Sequence, residues 1–405
     1  MEKFIKQLKK YPSGYWDFKG VTKQGIHNIG KYPATMVPEM QKELLSLIAN
    51  EFKDKNITLL DPFCGSGTTL VIANNLGINS LGIDINPYAV LLTSIKTKIY
   101  NYDEVLSSIK TIEKRLKDPL IVPDHYFFNI DKWFKKDIIS SLSKIRYLIT
   151  LEKNKDIRDF FWIVFSETIF KFSNDRTSTF KLHALPKDEI ERIIDNTYEY
   201  FFTKLKEKSL FLNYKTTNKA KVMYGDCKEV LKDIGNKKFE IICTSPPYGD
   251  NQTTVTYGQA SILYLKWIDS KDLKCHSDIL KSFSTIDKIS VGGSKKKPLN
   301  TLNLQLLNEY LNKISLSKRS KVINFFEDYF IALEVLKNCL KENGYLIMTV
   351  GNRRIDSFLQ PLDEITIEIC KNLGLETVSK FSRNIIYNKN VKSISEEMVL
   401  IFKKH

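Results

Sequence analysis

The chain has 405 residues, enough for two or three structural units around a sizeable hydrophobic core. Lys and Arg number 62 against 47 Asp and Glu, and the resulting net charge of +15 is typical of proteins that bind nucleic acid, although a lysine-rich composition alone can also produce it. Scattered histidines, unpaired cysteines and the lack of a long apolar run argue against a metal site, a disulfide framework and a membrane span, so we expect a cytoplasmic protein.

The first part of the chain predicts an arm, a helix and a strand that ends in a glycine turn. Residues 1 to 30 are basic and aromatic, and we expect them to pack on the core. Apolar residues at helical spacing from Val37 to about Phe52 predict a helix. An apolar strand then reaches Asp61 and passes through Gly65 and Gly67 into a second helix, a turn that lets a ligand approach the main chain.

Two further strands end in an acidic residue. The strand from Leu81 ends at Asp84, and the strand from Lys221 ends at Asp226. An acid in this position commonly accepts hydrogen bonds from the ribose hydroxyls of a nucleoside cofactor. Each acid has a structural alternative, since Asp84 could cap the helix that begins near Pro87 and Asp226 could also be a helix N-cap.

The strand from Phe239 to Cys243 runs into Thr244-Ser245-Pro246-Pro247-Tyr248-Gly249. Two prolines cannot continue a strand, so the chain must leave the sheet as a stiff, extended loop. That loop presents a polar residue, rigid carbonyl groups and an aromatic ring at the carboxyl end of a strand, where open α/β sheets bind ligands. The arrangement suits a flat base that bears an amino group.

The remaining segments complete an α/β fold with two interruptions. Residues from about 100 to 215 predict a helical insertion, and a polar stretch from about 250 to 319 includes a basic loop near 291 to 298. A helix from Val322 to about Leu340 and a strand from Tyr345 to Val350 follow. A helix at 363 to 372 and two strands, at 376 to 387 and 398 to 402, complete a mostly parallel seven-stranded sheet with an antiparallel hairpin.

Taken together and in this order, the glycine turn, the strand-terminal acids and the Thr-Ser-Pro-Pro-Tyr loop resemble the S-adenosylmethionine-dependent DNA amino-methyltransferases. These enzymes modify cytosine at N4 or adenine at N6. The resemblance implies a Rossmann-like class I methyltransferase fold with insertions that recognise double-stranded DNA. It also implies a site-specific modification methylase of a restriction-modification system, for which a companion restriction endonuclease is a conceivable partner.

The resemblance assigns roles to individual residues. Ser245, Pro246, Pro247 and Tyr248 match the catalytic loop, and a serine in its first position favours cytosine N4 over adenine N6. Ser245 and the carbonyl of Pro246 would accept the two amine protons, and Tyr248 would stack on a base rotated out of the duplex. The residues that match the site for S-adenosyl-L-methionine are Tyr32, Pro33, Thr35, Asp61, Phe63, Gly65, Gly67, Asp84 and Asp226.

Target recognition is assigned to the two insertions, either of which could read the DNA sequence. The predicted units are 1–99 (arm and cofactor half), 100–215 (helical insertion), 216–249 (catalytic loop), 250–319 (second insertion) and 320–405 (end of the core). The candidate DNA contacts are Asn251, Tyr257, Arg176, Lys181, Lys295 and Lys296, of which Asn251 and Tyr257 could also shape the base pocket. Two alternatives stay open, an RNA base-amine methyltransferase and a non-catalytic nucleic-acid-binding protein with a methyltransferase core.

Overall fold

The computed structural model describes residues 3–53, 56–119, 121–176, 181–213, 219–249, 255–291, 302–385 and 395–405. Within these ranges the strands are β1 (Thr58–Asp61), β2 (Asn79–Asp84), β3 (Ala220–Tyr224), β4 (Phe239–Thr244), β5 (Leu340–Val350), β6 (Arg353–Ile355), β7 (Phe358–Gln360), β8 (Leu375–Asn384) and β9 (Glu396–Lys404).

Seven of these strands form one sheet in the order β3-β2-β1-β4-β5-β9-β8. The first five in this order pair in parallel, whereas β9 is antiparallel to both β5 and β8. The two remaining described strands, β6 and β7, form a separate hairpin. The mostly parallel seven-stranded α/β fold with a closing antiparallel hairpin is therefore confirmed.

The helices connect and cover these strands. Within the described residues they are α1 (Lys3–Leu8), α2 (Pro38–Ala49), α3 (Thr68–Asn75), α4 (Pro87–Lys96), α5 (Tyr102–Leu116), α6 (Ile130–Trp133), α7 (Lys136–Thr150), α8 (Lys155–Phe172), α9 (Lys187–Glu191), α10 (Thr197–Ser209), α11 (Cys227–Asp233), α12 (Tyr257–Trp267), α13 (Phe283–Val291), α14 (Gln305–Leu311), α15 (Leu316–Cys339) and α16 (Leu362–Asn372). Short 3₁₀ segments lie at Tyr15–Asp17, Gly25–Asn28, Leu210–Leu212, Ser270–Asp272 and Ser277–Lys281.

Both faces of the sheet are covered, because successive side chains of each strand point to opposite faces. In β4, Ile242 belongs to the core that α15 and α16 complete, whereas Ile241 belongs to the core that α2 and α3 complete. A strand buried on both faces needs an apolar run without polar alternation, and this is the pattern that β4 shows in the sequence.

The N-terminal arm packs on the edge of the sheet formed by β8. The ring of Trp16 lies 4.7 Å from the ring of Phe381, and the Asp17 carboxylate accepts a hydrogen bond of 2.7 Å from the backbone N–H of Asn384. Phe4 meets Tyr345 of β5 edge to face at 5.3 Å. These contacts confirm that the arm is part of the core.

The two predicted insertions share one hydrophobic core. Buried side chains of α5, α7, α8 and α10 pack together with those of α12 and α13 in a single cluster. The Asp272 carboxylate, which follows α12, accepts hydrogen bonds from Arg158 and from the indole N–H of Trp162, both on α8. We call this combined body the helical unit.

Two expectations about the second insertion are wrong. The chain after Tyr248 is not a uniformly polar stretch, because Ile262, Leu265 and Trp267 lie buried in α12. The lysines and the Thr- and Asn-rich residues around this short apolar segment concealed it. The next long helix begins at Leu316 and not near Val322, because its first turns are largely exposed and carry polar residues that show no apolar period.

Candidate active site

A cavity of about 810 Å³ opens where the parallel strands end. The glycine turn after β1, the end of β2, the turn after β3 and the loop after β4 all contribute to its walls. The predicted residues that line it are Tyr32, Thr35, Phe63, Gly65, Asp84, Asp226, Ser245, Pro246, Pro247, Tyr248 and Tyr257. Three predicted residues do not line the cavity, although each is a sequence neighbour of a residue that does: Pro33, Asp61 and Gly67.

The glycine turn is held in a conformation that side chains disfavour. Gly65 has φ +48° and Gly67 has φ +78°, the left-handed region in which glycine carries no steric cost. A Cβ atom on Gly65 would lie 3.2 Å from Cε1 of Tyr32, and one on Gly67 would lie 2.8 Å from Cγ2 of Thr93. The absent side chain at Gly65 therefore keeps the cavity open beside Tyr32.

Asp84 anchors this turn from the end of β2. Its Oδ2 accepts a hydrogen bond of 2.8 Å from the Gly65 N–H, and its Oδ1 accepts one of 2.9 Å from the Asn86 N–H. Burial raises the pKa of Asp84 to about 6. The N-cap of α4 is Asn86, whose side chain accepts from the Tyr88 N–H at 3.0 Å, so Asp84 is not the helix cap.

Asp226 combines two roles at the end of β3. Its side chain caps α11 by accepting a hydrogen bond of 2.9 Å from the Lys228 N–H, which is the structural alternative considered for it. The residue also lines the cavity, as do Lys228 and Asp328 next to it. Lys228 Nζ lies 3.6 Å from Asp226 Oδ2 and 3.9 Å from Asp328 Oδ1. Capping therefore fixes the position of an acid that still faces the cavity.

Asp61 lies behind the cavity wall. Its Oδ1 accepts hydrogen bonds from the Thr244 hydroxyl at 2.7 Å and from the Phe63 N–H at 3.2 Å, so it links the ends of β1 and β4. Burial raises the pKa of Asp61 to about 7. In the structure this residue fixes the glycine turn relative to the catalytic loop.

The predicted catalytic loop is connected by hydrogen bonds to the last strand, β9. Ser245 Oγ lies 2.9 Å from the Tyr248 hydroxyl, and this hydroxyl donates to Glu397 Oε1 at 2.9 Å. Glu397 Oε2 accepts from Arg383 Nε at 2.8 Å. The Arg353 guanidinium carbon lies 5.9 Å from the centroid of the Tyr248 ring. Burial, followed by the charge of Glu397, raises the pKa of Tyr248 well above its ordinary value.

Sequence reasoning missed Glu397, Arg383 and Arg353, all of which line the cavity. Because β9 is antiparallel to β5, its first residues lie at the edge where the parallel strands end. The Glu396-Glu397 pair that precedes the apolar end of β9 was the available signal, since the closing hairpin was predicted to be antiparallel.

Tyr257, predicted as a DNA contact or a shaper of the base pocket, begins α12 and lines the cavity. Its ring stacks on that of Tyr32 with centroids 5.7 Å apart. Arg176 and Lys181 are exposed and are not among the cavity residues, and an isolated bridge between Asp175 and Ala184 joins the segments that carry them. Asn251, Lys295 and Lys296 lie outside the described residues.

The cavity suits a nucleoside that carries hydroxyl groups and an exocyclic amine. Asp84 and Asp226 supply acceptors, and Gly65 leaves room against the main chain. The described residues contain no group of three or more His, Cys, Asp or Glu side chains that could hold a metal ion. Among the described helices, none is long and apolar enough to cross a membrane. The strand order, with one antiparallel strand inserted next to β5, and a cavity at the carboxyl ends of the parallel strands are the arrangement of a Rossmann-like class I methyltransferase fold.

Comparisons with known proteins show which proteins this chain is similar to. The N6/N4 methyltransferase family model, described as "DNA methylase", matches residues 2–96. The chain is 29% identical to the type II methyltransferase M.MvaI of Kocuria varians over 90% of this chain and 85% of that protein. It is 24% identical to the type II methyltransferase M.BsoBI of Geobacillus stearothermophilus over 89% of this chain and 80% of that protein. The chain is thus similar to DNA methyltransferases, and this similarity supports S-adenosyl-L-methionine as its methyl donor.

Among solved structures, an rRNA methyltransferase from Streptomyces viridochromogenes aligns with 94% of this chain and 90% of its own, at 9% identity and a TM-score of 0.33.

Proposed function

We propose that this protein methylates the exocyclic amine of a base in double-stranded DNA, cytosine N4 in preference to adenine N6, at a specific sequence. The observation that carries the proposal is that Ser245 and Tyr248 line the same cavity as Gly65 and Asp84. The catalytic loop and the cofactor turn thus open on one space that can hold a methyl donor and a base together.

The chemistry of the amine explains why few residues are needed. An exocyclic amine is a weak nucleophile, because its lone pair is delocalised into the ring. Two acceptors that bind its protons localise the lone pair on nitrogen and orient it. Ser245 Oγ and the Pro246 carbonyl serve as these acceptors, and both residues line the cavity. Orientation and hydrogen bonding in the transition state then supply most of the rate enhancement.

The residues that hold S-adenosyl-L-methionine are those of the turn and the strand ends. When bound, the cofactor supplies an activated methyl group on a sulfonium centre. Asp84 would accept hydrogen bonds from the ribose hydroxyls and Asp226 would face the adenine edge, while Tyr32, Thr35, Phe63 and Gly65 form the adjoining wall. Asp61 acts indirectly through its hydrogen bonds to Thr244 and Phe63, which fix the turn.

A base within a duplex cannot reach this cavity, so the target base must rotate out of the stack. Tyr248 has a half-buried ring on the cavity wall, where a base can stack on it. Arg354, exposed on the β6–β7 hairpin, also borders the cavity and offers a positive charge for DNA phosphates. The net charge of +15 also favours DNA as the partner.

The helical unit is proposed to recognise the target sequence. Its shared core implies that residues of both insertions form one DNA-facing body and not two separate ones. Leu182 donates its N–H to the side chain of Gln259 at 3.1 Å, which joins the segment near Arg176 and Lys181 to α12 behind the cavity. The type II relatives favour a role in a restriction-modification system, with a cognate endonuclease as the expected companion.

Methylation of purified DNA tests the proposal. Wild-type protein, labelled S-adenosyl-L-methionine and unmodified DNA should yield N4-methylcytosine among the hydrolysed nucleosides, identified by mass spectrometry. Ser245→Ala should lower kcat by roughly 100-fold, the cost of one lost transition-state hydrogen bond, without weakening cofactor binding. Ser13→Ala, at an exposed position of the N-terminal arm away from the cavity, is the matched control and should be fully active.

Two results would refute the proposal. Methylation of RNA in place of DNA would assign the protein to the RNA base-amine methyltransferases. Cofactor and DNA binding without any methyl transfer would indicate a non-catalytic nucleic-acid-binding protein that retains the methyltransferase core.

A further inference from the structure

The hydrogen bonds that extend from the catalytic loop have a defined direction. A phenol has one proton to donate, whereas an ionised carboxylate can only accept. The raised pKa of Tyr248 keeps its phenol protonated. Tyr248 therefore donates to Glu397, and its remaining contact, with Ser245 at 2.9 Å, must be one in which Ser245 donates.

This direction determines what Ser245 offers to a substrate. Once its proton points to Tyr248, the lone pairs of Ser245 Oγ remain available as acceptors. An exocyclic amine presents only protons in the plane of its base, so it needs an acceptor at this position. If the direction were reversed, the Tyr248 proton would occupy one lone pair of Ser245 Oγ, and the Ser245 proton would compete with the other lone pair for the side that faces the cavity.

We propose that Glu397 is a positioning residue that sets the direction of the Arg383–Glu397–Tyr248–Ser245 chain, so that Ser245 accepts a proton of the target amine. The inference rests on the proposed function, because it assigns a task to that same site. Arg383 is 7% exposed and donates to the far oxygen of Glu397, which fixes the carboxylate in place. Among the described residues, Arg353, Arg354, Glu396 and Tyr257 also line the cavity, and the charges of Arg353 and Glu397 both act on Tyr257.

The isosteric change Glu397→Gln should reverse the chain. Arg383 Nε needs an acceptor, so the amide oxygen of the glutamine will face Arg383. The amide NH₂ group then faces Tyr248 and donates to its oxygen. Tyr248 can donate only to Ser245, and the Ser245 proton turns to the cavity. The size of the side chain is unchanged, so the effect isolates hydrogen-bond direction.

The first experiment compares turnover with binding. E397Q should lower kcat by roughly 10- to 100-fold. The dissociation constant for S-adenosyl-L-methionine, measured by calorimetry, should stay within about twofold, because Glu397 is not among the residues proposed to hold the cofactor. Glu376→Gln is the control, an exposed glutamate on β8 that pairs with His405, and it should keep full activity.

A double-mutant cycle separates direction from simple structural support. Tyr248→Phe keeps the ring but removes the hydroxyl, so Ser245 becomes free to turn its proton away, and the loss of kcat should be smaller than in E397Q. In the Tyr248→Phe background, Glu397→Gln should cause no further loss. If Glu397 acts only by holding Arg383, Glu397→Gln will lower kcat by the same factor in the wild-type and Tyr248→Phe backgrounds. That result would show the inference to be wrong.

Two further outcomes separate a failure of the proposed function from a failure of the inference about Glu397. A wild-type protein that methylates no DNA refutes the proposed function and, with it, this inference. A wild-type protein that methylates DNA, accompanied by an equally active E397Q, refutes only the direction of the chain.

Discussion

The contact between Asp84 and the glycine turn allows a quantitative prediction for the substitution Asp84→Asn. The two carboxylate oxygens of Asp84 accept from the N–H groups of Gly65 and Asn86 at 2.8 and 2.9 Å. Asparagine has a single acceptor oxygen, so one of these N–H groups will face an amide NH₂ group instead. The turn beside the cavity then loses one of its two fixed points.

The size of the effect follows from the number of hydrogen bonds lost. A hydrogen bond to a charged group contributes roughly 1.5–3 kcal/mol. The loss of one such bond to the bound ribose corresponds to a roughly 10- to 150-fold weaker affinity for the cofactor. The free energy of unfolding should change much less, because the raised pKa of Asp84 shows that burying its charge has a cost, and asparagine removes that cost.

Isothermal titration calorimetry with S-adenosyl-L-methionine measures this directly. Asp103→Asn, an exposed acid in the first turn of α5, is the matched control and should bind like the wild type. A dissociation constant for Asp84→Asn that stays within about twofold of the wild-type value would remove Asp84 from the cofactor site.

Three further results are expected. Tyr248→Ala should lose most methyl transfer yet keep cofactor affinity, as measured by turnover and calorimetry; equal loss of both would argue against a role in holding the base. Cofactor affinity should weaken as the pH falls through about 6, where Asp84 becomes protonated and stops acting as a charged acceptor, and Asp84→Asn should remove this dependence. Asp272→Ala leaves the buried indole N–H of Trp162 without its acceptor and removes the partner of the half-buried Arg158, so it should lower the free energy of unfolding by about 1–3 kcal/mol in urea titrations, whereas an unchanged value would show that the two insertions do not depend on this contact.

The sheet could be predicted from sequence because strand ends have local signals. An apolar run that stops at Gly65, Asp84 or Pro246 marks both a strand and its carboxyl end. Parallel strands bring these ends to one edge, so residues far apart in sequence were expected to meet, and the cavity contains most of them.

Side-chain partnerships were not predictable in the same way. Asn86 and Asp84 are both good cap types, and Pro87 at the first helical position favours Asn86 as the cap, but no local signal shows that Asp84 binds the Gly65 N–H instead. The contact of Tyr248 with Glu397 joins residues separated by 149 positions, and it depends on β9 lying between β5 and β8.

The helical unit shows a second limit of structure prediction from sequence. The apolar segment of α12 is short and flanked by polar residues, so its periodicity is weak, whereas its burial depends on α8 and α13 packing around it. Tertiary contact, and not local pattern, makes this segment a core helix.

The central claim is that the loop from Ser245 to Tyr248 presents a base amine for methylation in DNA. The most direct measurement is single-molecule sequencing of DNA from cells that express this chain, with cells expressing Ser245→Ala as the reference. We expect N4-methylcytosine at one short recognition sequence in the first sample and a much lower level at the same sequence in the second. N6-methyladenine at that sequence would overturn the preference for cytosine, and DNA without any methylated amine would contradict the claim itself.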